Sequence, residues 1–435
     1  MDQFTKGEEA EYEVFCEAHG HFMQSIRWGL VKEGWTAVPL TARDAQGSLT
    51  GTMLVLVRDF PLLHTAFLYA PRGPVCDPKN AAALQVLAAK ARLLAEEHHA
   101  FALRIDPPFF AEDTEAVSAL TAQGFSWAPE RVGYDTIQSR ENYMITLDGR
   151  TPDELLKSFS AKCRYNIRLA SRKGVICGMF GEEKLDDFMK LMDVTAARDG
   201  FAARDRVYFS RLLRSFGTRA GLCMCYLDGE PLSGALWIEY AGRMSYLYGC
   251  SSAEHRDCMP NYLMQWTMIG HACRKGDAVY DFCGVPYWYD PQHKNYGVFR
   301  FKAGFRGEVR AYAGEFDMTF RPVMARLFEA LWKCRRYLSE RRGAGCRRGT
   351  YARTEASAVT GTCREAAAVT DARHGPGDAK DASLERKEIH EPHSDSGGRS
   401  EHCPDDRDHG HDGGAHLRDG CGRACGGGEG LDRAV

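Results

Sequence analysis

The chain has 435 residues, a formal net charge of −3 at pH 7 and a hydrophobic fraction of 44%. A chain of this length and composition can bury more than one core, so two domains are expected. It has no run of about 20 apolar residues, and its first residues lack the basic start and apolar centre of a secretory signal, so we expect a cytoplasmic protein that neither is secreted nor spans a membrane.

The 16 cysteines are scattered singly along the chain rather than arranged in a framework. This distribution favours free, buried thiols in a reducing compartment over disulfides. The sequence contains no pair of CxxC motifs and no HExxH motif, so no metal site is expected.

The first half of the chain alternates predicted strands and a helix. Apolar runs at 52–59 and 65–70 predict strands, and residues 80–98 predict a helix. Residues 101–107 predict a further strand that is closed by a proline.

A second round of elements begins at Thr151. Thr151 and Glu154 form a capping box, and Pro152 occupies the first helical position, so a helix is predicted to start there. Residues 223–249 predict three strands joined by two-residue turns at Asp228-Gly229 and Ala241-Gly242. A predicted helix at 261–274 and a predicted strand at 278–284 complete a second mixed α/β unit.

A basic segment lies near the start of this second unit. Arg164, Arg168 and Arg172 recur at every fourth residue, so in a helix they form one charged stripe, flanked by Lys162 and Lys173. Such a stripe suits a phosphate backbone. The alternative is an ordinary solvated helix face that nearby acids balance.

The segment 295–315 isolates Lys302 between Phe301 and Phe305 at the end of a glycine-punctuated loop. An ammonium in such a partly dry setting acts on a developing oxyanion more strongly than it would in water. The alternative is a lysine that extends to solvent from a strand edge. Asp281, at the end of a predicted strand, either orients this lysine or an acceptor amine, or is a turn aspartate bonded to backbone amides.

Residues 343–435 differ from the rest of the chain. They are rich in glycine and histidine, and Tyr351 is their single aromatic residue. A segment of this kind cannot bury enough apolar surface to fold, so a disordered, low-complexity tail is predicted.

Four segments carry a family resemblance, and they occur in family order across roughly residues 20–340. They are QSIRWGLVKEGW (24–35), YAPRGPVCD (69–77), KCRYNIRLASRKGV (162–175), and MPNYLMQWTMIGHACRKGDAVYDFCGVP (259–286) leading into FRFKAGF (299–305). Together they resemble the Fem family (FemABX), the tRNA-dependent aminoacyltransferases that build the interpeptide bridge of peptidoglycan.

This resemblance implies an α/β (α+β) fold of two tandem acetyltransferase-like (GNAT-like) domains, at 1–148 and 149–310. It also implies that a return segment, 311–342, packs on the first domain ahead of the tail at 343–435. The glycine-rich coenzyme A loop of single-domain acetyltransferases is missing from the sequence, so no cofactor is expected. The sequence has no heptad run, and the coiled-coil arm of larger family members is therefore expected to be absent.

The resemblance further implies where the acceptor binds. Lys32 matches a lysine that contacts the diphosphate or sugar of UDP-MurNAc-pentapeptide or lipid II. Arg204 and Tyr208, four residues apart, and Tyr248 match other positions for the same acceptor, with Arg206 as the alternative to Arg204. Trp28, beside Lys32, is expected to be a core residue.

The implied reaction moves glycine, alanine or serine from aminoacyl-tRNA to the peptide-stem amine of the precursor. The ester is already activated, so the enzyme needs no nucleophile of its own. Lys302 would stabilise the oxyanion, the carbonyl of Phe301 would guide the proton, and the basic segment would bind tRNA. Contact with the inner membrane face is left open. The alternatives are another amine acceptor, such as a protein N-terminus or a small molecule, and a non-catalytic protein that binds tRNA or precursor.

Overall fold

The computed structural model describes residues 4–293 and 295–331, all of which belong to one compact unit. The predicted tail at 343–435 lies outside the described residues, as do positions 332–342 of the predicted return segment.

The first half of the chain forms two helices and then the strands of a mixed sheet. Its elements are α1 (Lys6–His19), α2 (Ile26–Val31), β1 (Thr36–Arg43), β2 (Leu49–Phe60), β3 (Thr65–Ala70), β4 (Val75–Cys76), α3 (Ala81–Glu97), β5 (Ala102–Ile105), α4 (Thr114–Ala122) and β6 (Ser126–Trp127).

The second half supplies another mixed sheet and its helices. Its elements are β7 (Glu141–Thr146), α5 (Pro152–Ser158), α6 (Ala161–Arg172), β8 (Ile176–Phe180), α7 (Leu185–Asp199), α8 (Arg206–Phe216), β9 (Ala220–Leu227), β10 (Glu230–Tyr240), β11 (Arg243–Ser251), α9 (Pro260–Lys275), β12 (Val279–Gly284), α10 (Tyr296–Ala303), β13 (Glu308–Ala311) and β14 (Phe316–Thr319). Residues 322–331 are helical as well.

The assignment of strands to the two sheets does not follow the predicted domain boundaries. The first has the order β1-β2-β3-β5-β14-β6, with β4 paired to β2, and the second has the order β13-β7-β12-β11-β10-β9-β8. Strand β14 follows the lysine segment in sequence but lies between β5 and β6 of the first sheet. Strand β7 precedes residue 149 yet belongs to the second sheet. The division into domains at 148 stays a prediction.

Local sequence signals explain several of these elements. Thr151 caps α5 through the predicted capping box with Glu154. The turns before β10 and β11 place Asp228 and Ala241 at φ 52° and 54°, each followed by a glycine with positive φ. Two consecutive residues with positive φ match the twist of a tight hairpin, and the predicted strands are confirmed.

Buried apolar side chains join the two halves. One core cluster combines Tyr12 and Trp28 from the first half with Phe188, Phe209 and Leu236 from the second. Each sheet also has a core of its own. The halves therefore share apolar surface that neither could bury alone, which holds them together.

Two further observations concern the described residues. Their ten cysteines are all free, which confirms the predicted thiols for this part of the chain. In the same part of the chain, no helix has both the length and the apolar character needed to cross a membrane.

Candidate active site

Lys302 lies in the last turn of α10, not in the loop that its glycine-rich surroundings predict. Its side chain is buried, with 4% of the residue exposed. The ammonium Nζ donates to the carbonyl oxygens of Phe282 and Gly284 at 2.7 and 2.8 Å and contacts that of Cys283 at 3.4 Å. Two of its three N–H groups are thus firmly held, and the third is held only weakly.

Burial lowers the pKa of Lys302 to about 8, an effect that the nearby Cys283 and Asp281 partly oppose. The ammonium therefore remains mostly charged at neutral pH in a site with little water. The neighbouring carbonyl of Phe301, the predicted proton guide, accepts a hydrogen bond from the amide of Gly304 at 3.1 Å.

The carbonyl groups around Lys302 come from an irregular end of β12. Cys283 has a φ of 57°, in the left-handed region, and the register with β7 shifts between Asp281 and Gly284. The carboxylate of Asp281 accepts a hydrogen bond from the Cys283 amide at 2.7 Å and others from Asn142 Nδ2. Asp281 thus holds the turn whose carbonyls bind the lysine, as the turn interpretation predicts, and its role in orienting the lysine or the acceptor amine stays a prediction.

We expect Asp281→Asn to lower the free energy of unfolding by about 2 kcal/mol, because a buried carboxylate that accepts several hydrogen bonds is replaced by an amide that cannot accept them all. Urea denaturation measures this change. The exposed Asp257→Asn should stay within about 0.5 kcal/mol of wild type. Equal stabilities of the two variants would contradict this role of Asp281.

A chain of buried polar groups links Asp281 to the first sheet. Arg243 Nη1 lies 3.3 Å from Asp281 and donates to the Tyr312 hydroxyl at 2.8 Å. The guanidinium of Arg72 lies over the Tyr312 ring at 4.2 Å, and the Arg72 amide donates to Asp106 at 2.6 Å. Burial raises the pKa of Asp106 to about 6.

Sequence reasoning missed both arginines of this chain of contacts. Arg72 is part of the segment YAPRGPVCD, which supported the resemblance without any role being assigned to the arginine. Arg243 gave no signal at all. Their partners are distant in sequence and meet only because β14 and the preceding residues return to the first sheet.

The predicted acceptor residues form a second cluster. The Arg204 guanidinium lies over the Tyr208 ring at 5.2 Å, and the Tyr208 and Tyr248 hydroxyls are 3.0 Å apart. The Lys32 ammonium lies over the buried ring of Trp28 at 4.7 Å. Burial lowers the pKa of Lys32 to about 8, with a smaller contribution from the adjacent Arg204. The structure thus brings the predicted residues together.

The spacing argument for Arg204 was wrong in one respect. Helix α8 begins at Arg206 and is capped by Asp205, whose carboxylate accepts a hydrogen bond from the Tyr208 amide at 2.8 Å. Arg204 therefore precedes the helix and is not one helical turn from Tyr208. The alternative, Arg206, forms an exposed ion pair with Asp186 instead.

Within residues 4–293 and 295–331, no carboxylate lies within ion-pair distance of Lys32 or Arg204. Two adjacent cations without an acidic partner repel each other, and the arrangement is stabilised when an anion binds between them. Two tyrosine hydroxyls beside them offer neutral donors to the same ligand. This cluster is therefore a candidate anion site.

The parallel strands β11 and β12 relate the candidate anion site to Lys302. The two strands pair only through residues 243–245 and 279–281. Tyr248 follows the paired part of β11, and Cys283, whose carbonyl contacts Lys302, follows the paired part of β12. Because the two strands run in the same direction, both residues lie toward the same end of the second sheet.

A cavity of about 400 Å³ borders the lysine site. It is lined by the loop at 133–139, the residues that follow Cys283, and α10. Gly284 belongs both to its lining and to the carbonyl groups around Lys302. The cavity is large enough for an amino acid ester and part of the ribose that carries it.

Helix α6 places the predicted basic stripe near the lysine helix, because the Ser160 amide at its start donates to the Gly304 carbonyl at 2.9 Å. The basic side chains differ in whether they already bond to other groups of the protein. Arg164 donates to the carbonyls of Lys157 and Phe159, and Lys173 pairs with Asp257. The side chains that remain exposed to a ligand are Lys162, Arg168 and Arg172.

One group of side chains has the composition of a metal site. The ligand atoms of His255, Asp257 and Cys258 lie within 4.8 Å of one another. The Asp257 carboxylate already binds the Lys173 ammonium at 2.5 Å, so a cation would have to displace that ammonium. We assign no metal to this group.

Two mixed sheets in tandem, with a buried ammonium at the end of one strand, are typical of a tandem acetyltransferase-like transferase. Residues 8–230 and 228–333 match the FemAB family, and the chain therefore belongs to that family. It is 29% identical over 395 residues to the Lipid II:glycine glycyltransferase of Staphylococcus aureus (strain USA300), which covers 73% of this chain and 93% of that relative. It is also similar to the crystal structure of FemX, with 27% identity, a TM-score of 0.70 and coverage of 75% of this chain and 99% of the other.

These similarities confirm the predicted family, the α/β fold with acetyltransferase-like halves, and the class of enzyme, an aminoacyltransferase. The roles of individual residues stay predictions.

Proposed function

We propose that this protein is a cytoplasmic enzyme that transfers an amino acid from aminoacyl-tRNA to the peptide-stem amine of a peptidoglycan precursor. The observations that carry the proposal are the buried ammonium of Lys302, held by three backbone carbonyls, and the adjacent cations Lys32 and Arg204 beside two tyrosine hydroxyls. The two cations suit the diphosphate of the acceptor, and the buried ammonium suits the oxyanion of an ester under attack.

The acceptor is the better supported of the two substrates. Both UDP-MurNAc-pentapeptide and lipid II carry a diphosphate next to a muramyl sugar with its peptide. Lys32 and Arg204 would bind the diphosphate, while the hydroxyls of Tyr208 and Tyr248 would bind its oxygens or the sugar. The relative named Lipid II:glycine glycyltransferase supports the same class of acceptor and a glycyl donor.

The chemistry follows from the reactants. The amine, with an ordinary pKa near 10.4, is unprotonated in only about one molecule in 10³ at pH 7, which costs about 4 to 5 kcal/mol. Attack on the ester produces a tetrahedral oxyanion. The weakly held N–H of Lys302 turns from the Cys283 carbonyl to this oxyanion, and its charge acts at full strength because water is excluded. The Phe301 carbonyl would accept a hydrogen bond from the attacking amine and so guide its proton. That proton ends on the ribose oxygen, which leaves as the ester bond breaks and the amide forms.

The donor would approach Lys302 through the cavity that borders it. The cavity beside Gly284 would hold the aminoacyl group and its ribose, which supports transfer of a small amino acid such as glycine, alanine or serine. The exposed cations of α6 would contact the phosphates of the tRNA acceptor end.

The direct test uses the full chain, separately charged glycyl-, alanyl- and seryl-tRNA with a radiolabelled amino acid, and UDP-MurNAc-pentapeptide or lipid II as acceptor. We expect label on one of these acceptors and its loss after ribonuclease treatment of the donor. Label on a protein N-terminus or a small amine instead would show that this amine, and not the peptidoglycan precursor, is the acceptor. Binding of tRNA or precursor without any transfer would mark a non-catalytic protein and contradict the proposal.

The pH dependence of turnover should report the loss of the positive charge of Lys302. At saturating acceptor, the rate should rise with pH below about 8, because more of the amine is unprotonated, and then level off. Above its pKa of about 8, Lys302 loses the charge that stabilises the oxyanion, which offsets the further gain in free amine. In Lys302→Arg the charge persists, so the slower rate should keep rising above pH 8. An unchanged break in this variant would assign the pKa to another group.

Salt dependence should reveal the tRNA contacts. We expect Arg168→Ala to reduce the slope of log affinity for tRNA against log salt concentration by about 1, because one phosphate contact is lost. Arg164→Ala is the matched control, since that guanidinium is bonded to backbone carbonyls and should leave the slope unchanged. Fluorescence titration at several salt concentrations measures both slopes, and the opposite pattern would move the tRNA away from Arg168.

A further inference from the structure

We propose that a surface built from the β2–β3 turn and the helix at 322–331 docks the protein on an anionic lipid bilayer. This lipid-docking surface consists of Leu62 and Leu63 in the turn and Val323, Leu327 and Leu331 on the helix. This inference rests on the proposed function, because a lipid-linked acceptor lies in a bilayer.

The members of this surface are unusually exposed for large apolar side chains. Leu62 is 97% and Leu63 60% exposed. Val323, Leu327 and Leu331 are 79%, 50% and 61% exposed and recur at every fourth residue, so they form one stripe along the helix. Single exposed leucines are common, but a cluster at the tip of a turn and along a helix marks an interaction surface.

The turn and the helix are neighbours. Phe328 packs its ring against Phe60, Phe67 and Phe101, with centroids 6.1, 5.2 and 5.0 Å apart. Leu62 follows Phe60 by two residues, in the 3-10 turn that begins directly after β2. The apolar arc of the helix is therefore wider than the face that packs on the protein, and the packed face contacts the strand that leads into the exposed turn.

The residues that follow the helix in sequence indicate which partner binds the lipid-docking surface. Between 332 and 348 the chain has seven basic residues and one acid, Glu340; the basic residues are Lys333, Arg335, Arg336, Arg341, Arg342, Arg347 and Arg348. Exposed leucines next to a strongly basic segment are the combination that binds anionic membranes, since the apolar groups enter the acyl boundary and the cations bind the headgroups.

The surface also adjoins the candidate anion site. The Trp35 ring lies 6.4 Å from Phe67, which itself stacks on Phe328. Arg58 of β2 donates to the Gly34 carbonyl, so the segment from Lys32 to Trp35 is bound to the hairpin that carries Leu62. A protein docked in this way would hold Lys32 near the headgroups, which is the level at which the diphosphate of a polyprenyl-linked acceptor lies.

Vesicle sedimentation of the full chain tests the proposal. We expect binding to vesicles of phosphatidylcholine with phosphatidylglycerol, weakened by salt, and much weaker binding to phosphatidylcholine alone. The double variant Leu62→Asp/Leu327→Asp should bind about tenfold less or weaker still, because two leucines no longer enter the bilayer. The matched control is Ile176→Asp, on β8, which removes an apolar side chain that is 75% exposed but lies outside the surface.

Two results would overturn the proposal. One is equal vesicle binding by wild type, the double variant and the control. The other is an absence of vesicle binding together with a concentration-dependent dimer that the double variant abolishes, which would make the surface a contact between copies of the chain. Thermal unfolding of the double variant shows that it is folded.

Transfer assays separate this inference from the proposed function. With water-soluble UDP-MurNAc-pentapeptide the double variant should match wild type, whereas with lipid II in anionic vesicles it should be about tenfold slower at low enzyme concentration. If wild type transfers label to neither acceptor, the proposed function fails, and vesicle binding still decides the docking surface.

Discussion

Replacing Lys302 with alanine is expected to slow turnover by about 10²- to 10³-fold at saturating substrates, the range seen when one oxyanion donor is removed. The ammonium donates to the carbonyls of Phe282 and Gly284 at the end of β12, and no other cation among the described residues does so. Single-turnover transfer from labelled aminoacyl-tRNA measures the effect on the chemical step.

The same substitution also leaves buried carbonyl groups without their donor, so a loss of about 1 to 3 kcal/mol in the free energy of unfolding is expected. Lys302→Met retains the length of the side chain and removes only the charge, and Lys275→Ala removes an exposed lysine at the end of α9. Turnover must be compared well below the melting temperature of each variant. Full activity in both Lys302 variants would remove this lysine from the mechanism.

The second large effect is expected at the anion site. Lys32→Ala and Arg204→Ala should each weaken acceptor binding by about 10- to 100-fold, because each removes a charged hydrogen-bond donor worth about 1.5 to 3 kcal/mol. The rate at saturating acceptor should change much less, since neither residue contacts the reacting atoms. Calorimetric titration with UDP-MurNAc-pentapeptide gives the affinities.

Arg206→Ala is a sharp control for this prediction. Arg206 is two residues from Arg204, but its guanidinium pairs with Asp186 at the surface. We expect this variant to bind the acceptor like wild type. The double variant Lys32→Ala/Arg204→Ala should lose less than the sum of the two single losses if both cations bind one diphosphate, and strictly additive losses would place them on separate groups.

The elements that sequence predicts well are those with local causes. The start of α5 depends on Thr151 and Glu154, which are three residues apart, and the hairpin before β10 depends on Asp228 and Gly229. The residues of the anion site were found through the resemblance. The order of these residues along the chain supported the resemblance. The helical spacing that was used to support Arg204 was wrong, because Arg204 precedes α8.

The elements that sequence predicts poorly depend on distant partners. Gly297 and Gly304 indicated a loop around Lys302, but Phe299 and Phe305 pack into the core of the second sheet and stabilise α10 as a helix. The contacts from Asp281 through Arg243 and Tyr312 to Arg72 span both sheets, so no window of sequence contains their cause. Strand β1, with its weak apolar pattern, was not predicted either.

The position of β14 has a consequence for how the protein is made. The first sheet lacks an interior strand until the ribosome has synthesised residue 319, because β14 lies between β5 and β6. Until then the edge of β5 has unpaired backbone groups and is open to the wrong partners. A nascent chain or a fragment that stops before β14 would therefore depend on chaperones or aggregate, and the sheet is completed only after the lysine helix has itself been translated.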